Sequence, residues 1–365
     1  MKTRSALLSF ALIFSFSLSA CASSDPLTAI EKGGEWFLND ENEYFIHYQY
    51  KPATDFHPNA SHAMREMGAL WSIYNLADFL EDERYDALAL KGLNYFKSFL
   101  EEDSANGFTY VNVTPDKIKL GYSAFMILNL LESEDPDKDE LMRELADGIL
   151  YLQGENGRFD TFFYSERDTG LDYYPGEALL ALGSLYEYTN EQRYLDAIKN
   201  ALPYYISYFE ENPNTAFVPW QTQAYSKYFL ITGDTEASDF VFKMNDYMAS
   251  HFSEEGESCS PDTESAGIVT AVYMEGMTKA YTVAKTLEDE ERADCYARFI
   301  RNGAETVMDL QFPMADLNLD DYPEAAIPTA TGGFCGSKTD VTMQVDRNQH
   351  ATMALMRAYE LGLID

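Results

Sequence analysis

One helical hairpin repeats through this chain, and residues 171–209 show it complete. Pro175 stands where a helix can begin without losing a needed N–H. From Ala178 to Tyr186 the residues are apolar on nearly every side, as in a helix covered by protein all round. After the polar turn Thr189-Asn190-Glu191, the residues Tyr194, Leu195, Ile198, Leu202, Tyr205, Ile206 and Phe209 recur at spacings of three and four. Asp196, Lys199 and Asn200 take the opposite face, which predicts an amphipathic outer helix. Pro203 lies inside that pattern, cannot donate a hydrogen bond to the previous turn, and is expected to bend or interrupt the helix.

The same alternation of buried and amphipathic segments runs from end to end. Inner helices are predicted at 62–80, 120–131, 175–188, 220–232, 264–287 and 348–361, and outer helices at 27–38, 84–100, 138–153, 192–209, 236–252 and 290–310. The turn is echoed at Glu81-Asp82-Glu83-Arg84-Tyr85, Thr232-Gly233-Asp234-Thr235 and Asp289-Glu290-Glu291-Arg292, each joining an inner helix to the next outer one. Because the series starts with an outer helix and ends with an inner one, its two ends can pair and close a ring. The expected fold is all-α, an (α/α)6 toroid in a single domain over 27–365; an open solenoid or an irregular bundle is the alternative.

At the start of the chain, Lys2 and Arg4 precede an apolar run from Ala6 to Leu18, too short for a membrane span and of the length of a secretory signal. The run closes on Leu18-Ser19-Ala20-Cys21, which resembles the lipobox of bacterial lipoproteins. That resemblance implies removal of residues 1–20, a lipid on the Cys21 thiol, and a short tether over 21–26. Ala22 in place of Asp implies the outer membrane, on its periplasmic or surface side. The alternative is an ordinary signal peptide cleaved near Ala20.

Without residues 1–20 the chain keeps 24 basic residues against 61 acidic ones, a formal charge of −37. Such a surface repels nucleic acid and anionic headgroups, so a nucleic-acid partner is not expected. Of the four cysteines, Cys21 is assigned to lipid, which leaves Cys259, Cys295 and Cys335 and room for at most one bridge. Cys259 and Cys335 both fall in loops on one face and are the preferred pair. No CxxC or His-rich spacing suggests zinc, and no cofactor is expected. The stretch 316–324 offers oxygen ligands on alternate residues, but Asp321 and Ile327 stand where a calcium loop requires Gly and an acid.

The hairpin pattern, together with Tyr-Pro-Gly-Glu-Ala at 174–178 and Gly332-Gly333-Phe334 followed by Asp346 and Gln349-His350, resembles the six-hairpin glycosidase superfamily and the sugar epimerases built on the same barrel. The resemblance implies a carbohydrate partner, an oligosaccharide or polysaccharide. Fold alone does not give function.

Turns from inner to outer helices are short, whereas the segments leading into inner helices, at 40–61, 103–119, 154–174, 210–219, 253–263 and 311–347, are long and lie on one face. Helix entrances there carry Arg65, Tyr122, Glu177, Trp220 with Gln221 and Gln223, Glu264 or Glu275, and His350, with Asp346 just before. Aromatic residues Tyr44, Tyr48, Tyr50, Phe163, Tyr164, Tyr173 and Tyr174 are expected around this mouth, where flat rings stack on sugars. Each has a plainer reading. Glu177 in a first turn suits the helix dipole, His350 suits a hydrogen-bonded core histidine, Arg65 suits a structural ion pair, and Asp346 suits a cap.

Glycoside hydrolysis needs a protonated carboxylic acid and a second carboxylate. Glu177 is the expected acid, since an aromatic wall and burial raise a carboxyl pKa. Its partner is sought among Asp172, Asp160, Asp262, Glu264 and Glu275. Epimerases of the resembling barrel use two histidines, and in the fifth hairpin Glu264 and Glu275 stand where the second would fall. A lyase would use Tyr122 with Arg65. A non-catalytic lipoprotein binding glycan or protein on the same face is the alternative of a different class.

Overall fold

The computed structural model describes residues 25–253, 259 and 262–365; residues 1–24, which include the signal run and Cys21, lie outside them. The outer helices are α1 (Pro26–Asn39), α3 (Glu83–Lys97), α5 (Lys138–Tyr151), α7 (Gln192–Glu211), α9 (Thr235–His251) and α11 (Glu290–Met308). The inner helices are α2 (Ala63–Leu80), α4 (Leu120–Glu132), α6 (Tyr174–Thr189), α8 (Val218–Thr232), α10 (Val269–Thr286) and α13 (Val345–Glu360). A short α12 (Ala326–Ala330) lies in the last connector. The inner helices pack in the order α2, α4, α6, α8, α10, α13 and back to α2, while α1 lies on α13. The ring is closed, as the repeat pattern requires.

The recurring turn has a physical basis in each hairpin. Glu81, Asn190, Gly233 and Glu288 take φ values of 51°, 58°, 73° and 57°, the left-handed conformation that ends an inner helix. Asp82, Asp234 and Asp289 then accept backbone N–H groups at the start of the following outer helix. The turn arginines reach the previous outer helix: Arg84 pairs with Glu35 at 2.6 Å, Arg292 with Asp246 at 3.0 Å, and Arg193 with Asp147. These pairs are half-exposed and set register more than they stabilise.

Small residues let the inner helices approach. A Cβ on Gly176 of α6 would sit 2.9 Å from the Gln221 nitrogen of α8, and one on Gly276 of α10 would sit 2.9 Å from Pro219 Cα.

The long connectors carry little regular structure. β1 (Gln49–Tyr50) and β4 (Met343–Gln344) pair antiparallel and tie the first connector to the last, and β2 (Leu100–Asp103) pairs with β3 (Phe108–Val111).

Several expectations are corrected. The fifth inner helix begins at Val269 rather than 264, because Glu264–Ala266 forms a 3-10 turn and Gly267 breaks the path at φ 55°. The last inner helix begins at Val345, three residues before the expected start. α7 runs unbroken through Pro203, which sits on the exposed face where the freed carbonyl can turn to water. The disulfide joins Cys259 to Cys295, with Cα atoms 5.5 Å apart, not Cys259 to Cys335. Cys335 is wholly buried in the core, its N–H bonded to the Leu310 carbonyl at 2.9 Å, and faces no connector cysteine. Among the described residues no helix is long and apolar enough to cross a membrane.

Candidate active site

Where the connectors converge over the inner helices, a cavity of about 390 Å³ is lined by His62, Met64, Arg65, Phe125, Tyr173, Tyr174, Glu177, Trp220, Val269, Val272, Asp346, Gln349 and His350. Seven residues singled out from the sequence meet here: Arg65, Tyr173, Tyr174, Glu177, Trp220, Asp346 and His350.

Glu177 is placed by the entry of α6, where Pro175 opens the helix and the Glu177 N–H donates to the Tyr173 carbonyl at 3.1 Å. The residue is only 5% exposed, and its Oε2 is buried without a hydrogen-bond partner. Burial pushes the carboxyl pKa up to about 8, against the pull of the nearby Lys119 ammonium. The helix dipole favours the ionised form in this first turn, and desolvation outweighs it. Gly121 on α4 leaves the space: a Cβ there would collide with Glu177 Oε2 and come within 2.6 Å of Met64 Cε. Lys119, at the start of α4, lies 5.4 Å from the centre of the Tyr122 ring and 5.5 Å from that of Tyr174, and its own pKa is lowered by burial.

His350 comes from the second turn of α13. Its Nδ1 lies 2.5 Å from Glu275 Oε1, and the other Glu275 oxygen accepts from Arg357 Nη1 at 3.0 Å. Arg357 Nη1 also donates to Gln223 Oε1 at 2.8 Å. A carboxylate acceptor at Nδ1 keeps the imidazole proton there, which leaves Nε2 as the nitrogen for the cavity. Glu275 thus sits behind the wall and orients His350, and Gln223 sits there bonded to Arg357; neither lines the cavity.

Arg65, in the first turn of α2, donates to Tyr48 Oη at 2.6 Å and to Gln344 Oε1 at 3.2 Å, and lies 3.3 Å from Asp346 Oδ2. Asp346 Oδ1 is buried with no partner, so one oxygen of this carboxylate is uncommitted. Trp220 meets Phe125 edge to face at 5.5 Å and lies 6.2 Å from the His350 ring, forming an apolar floor.

Other candidates lie elsewhere. The structure places Asp172 outside the cavity, because Oδ1 accepts from Tyr208 Oη at 3.0 Å and Asn214 Nδ2 at 3.2 Å on the outer side of the ring. Tyr122 is buried beneath Lys119. Asp160 pairs with Arg158, and Asp262 and Glu264 line a separate cavity. Among the rings expected at the mouth, Tyr50 and Phe163 are buried, and Tyr164 donates to Asp103 at 2.5 Å. Among the described residues no group of three or more His, Cys, Asp or Glu is arranged to hold a metal ion.

The structure adds His62, which the sequence reading passed over. It stands one residue before α2, lines the cavity, stacks on Tyr48 with ring centres 6.0 Å apart, and has a buried Nδ1 with no partner. Burial lowers its pKa, reinforced by Arg65 and Lys119. The signal was positional: His62, Lys119 and Tyr173 occupy the same place, immediately before an inner helix.

No protein-family model matches the sequence, and no curated protein matches it by sequence. Solved structures do match. A D-mannose isomerase superposes with a TM-score of 0.66 at 13% identity, over 94% of this chain and 100% of the other. The fold is that of the six-hairpin glycosidase-like toroids. An inactive variant of an alpha-1,6-mannanase from Salegentibacter sp., in complex with alpha-1,6-mannotriose, matches this toroid with a TM-score of 0.65 at 10% identity, over 92% and 100% of the two chains. Cellobiose 2-epimerase from Bacillus thermoamylovorans gives 0.62 at 11% identity, over 90% and 98%. At such identities the six-hairpin toroid itself is what is shared, and the chemistry must be argued from this chain's residues.

Proposed function

We propose that the protein is a carbohydrate-active enzyme that hydrolyses a glycosidic bond, with Glu177 as the proton donor. The observation that carries this is the Glu177 carboxyl: buried in the wall of an aromatic cavity, unpartnered at Oε2, and protonated up to about pH 8. Cleavage requires a proton on the bridging oxygen as the carbon–oxygen bond breaks, and Glu177 holds one at neutral pH. Asp346, held by Arg65 on the same cavity, is the second carboxylate and takes the proton of the attacking water. Tyr173, Tyr174 and Trp220 supply the faces on which a sugar ring stacks, and His350 supplies a positioned imidazole.

A second reading rests on one specific observation, the presence of two imidazoles, His62 and His350, on the same cavity. Two such groups suit proton removal and return beside the carbonyl of an open-chain sugar, the chemistry of an epimerase or isomerase.

The location follows the amino-terminal reading: export, lipidation at Cys21 and attachment to the outer membrane, with an oligosaccharide as the partner. Palmitate labelling with a Cys21→Ala control tests the anchor.

The function is tested by incubating the protein lacking residues 1–21 with neutral and acidic oligosaccharides in D2O. Hydrolysis gives new reducing ends, and epimerisation gives deuterium on a sugar carbon. The expected result is new reducing ends, reduced about 10²–10⁴-fold in Glu177→Gln. Deuterium incorporation without cleavage would move the assignment to the second reading. No turnover with retained glycan binding would mark a binding protein.

A further inference from the structure

Beside the candidate active site lies another cavity, of about 560 Å³, whose wall includes Asn42, Tyr44, His47, Tyr48, Glu66 and Tyr95. We infer that it is a second sugar subsite, and that the ligand is an uncharged oligosaccharide running from Glu177 past Tyr48 onto the Tyr44 ring. The inference deepens the proposed function and rests on it.

The two cavities share a thin partition. Tyr48 lines the second cavity, while its hydroxyl accepts from Arg65 at 2.6 Å and its ring stacks on His62, and both of those residues line the first. Ser61 lines the second cavity and His62 the first, so consecutive residues face the two sides. Glu66 fixes this boundary by accepting from the His62 N–H at 2.9 Å and the Ser61 hydroxyl at 3.1 Å.

Beyond the partition stands an aromatic platform. Tyr44 is 63% exposed, a large ring left to solvent, and lies 5.9 Å from the Tyr95 ring. The backbone that carries it is braced, since Asn42 Oδ1 accepts the backbone N–H groups of Tyr44 and Phe45 at 2.8 and 2.9 Å. An exposed aromatic face beside amide, imidazole and hydroxyl groups is the composition of a sugar-stacking surface. Charge selects the class of sugar. The cavity carries Glu43 and Glu66 with no lysine or arginine in its wall, so an anionic uronate is repelled and a neutral sugar is not.

The test uses the Glu177→Gln protein, in which turnover is expected to be slow enough to measure binding, and calorimetry with α-1,6-linked mannose and β-1,4-linked glucose series of one to five units. The expected result is an affinity that rises about tenfold or more between one and three units in the series that binds. Tyr44→Ala in the same background removes that gain and leaves monosaccharide affinity unchanged. Tyr44 is exposed, so an unchanged melting temperature confirms that the variant folds. Affinity independent of length, or a length gain that survives Tyr44→Ala, overturns the second subsite and leaves the reading of the Glu177 cavity standing. Absence of binding to every sugar overturns both.

Discussion

Glu275 of α10 holds His350 of α13 from behind: its Oε1 lies 2.5 Å from Nδ1, while its other oxygen takes the Arg357 guanidinium at 3.0 Å. Glu275 is 1% exposed, and Arg357 also lies 5.4 Å from the centre of the Trp71 ring. A buried carboxylate with two partners is a positioning device. It fixes the tautomer of one residue and offsets the desolvation of another.

Replacing Glu275 with Gln keeps the shape and removes the charge, which leaves Arg357 buried without its ion pair. We expect a loss of stability of about 3–5 kcal/mol in urea unfolding, with reduced turnover in the molecules that remain folded. An unchanged midpoint would mean that Arg357 finds water or another acceptor.

Glu177 couples the site to folding. In the unfolded chain it loses its proton near 4.5, whereas in the native protein it keeps it to about 8, so the native state binds more protons between those values. Stability must therefore fall as pH rises through that window, by up to about 1.4 kcal/mol per pH unit. Glu177→Gln removes this contribution, so the difference between the wild-type and variant unfolding curves should show the slope. Parallel curves across the window would contradict the raised pKa.

Gly121 is required by the acid rather than by the backbone, because its helix neighbours leave only the space that Glu177 Oε2 and Met64 occupy. Gly121→Ala should displace the carboxyl and lower turnover, at a cost of about 1–3 kcal/mol for overpacking. A crystal structure of the variant with Glu177 in place would refute this account of the glycine.

Arg65 uses one nitrogen, Nη1, on Tyr48, Gln344 and Asp346. Lysine offers a point charge in place of the planar fork. Arg65→Lys should raise KM about tenfold and change kcat less, since it loosens Asp346 and the Tyr48 partition without removing Glu177. An effect on kcat alone would place Arg65 in the chemical step.

The ring was legible because inner and outer helices differ in composition, and Ala178–Tyr186 set against Tyr194–Phe209 shows that difference without ambiguity. The mouth was legible too, since Arg65, Glu177, Trp220 and His350 all stand within a turn or two of an inner-helix entrance and do meet. Direction was not. Asp172 lies five residues before Glu177, yet it turns outward to Tyr208, a choice made by a tertiary hydrogen bond. Glu275 occupies an inner helix as expected, but α10 starts at Val269, which sets Glu275 in the second turn, behind His350. His62 reads in the sequence only as the first residue of the inner helix at 62–80, with nothing to mark it as facing a cavity, and the shared loop membership of Cys259 and Cys335 says nothing of burial, which removes Cys335 from reach.

A proton held on Glu177 at neutral pH inside the aromatic cavity is the claim on which the rest depends, and infrared difference spectroscopy of the wild type against Glu177→Gln tests it most directly. The account predicts a protonated-carboxyl C=O band at pH 7 in the wild type that the variant lacks and that titrates away with a midpoint near 8. Identical spectra in that region from pH 6 upward would show Glu177 already ionised and contradict it.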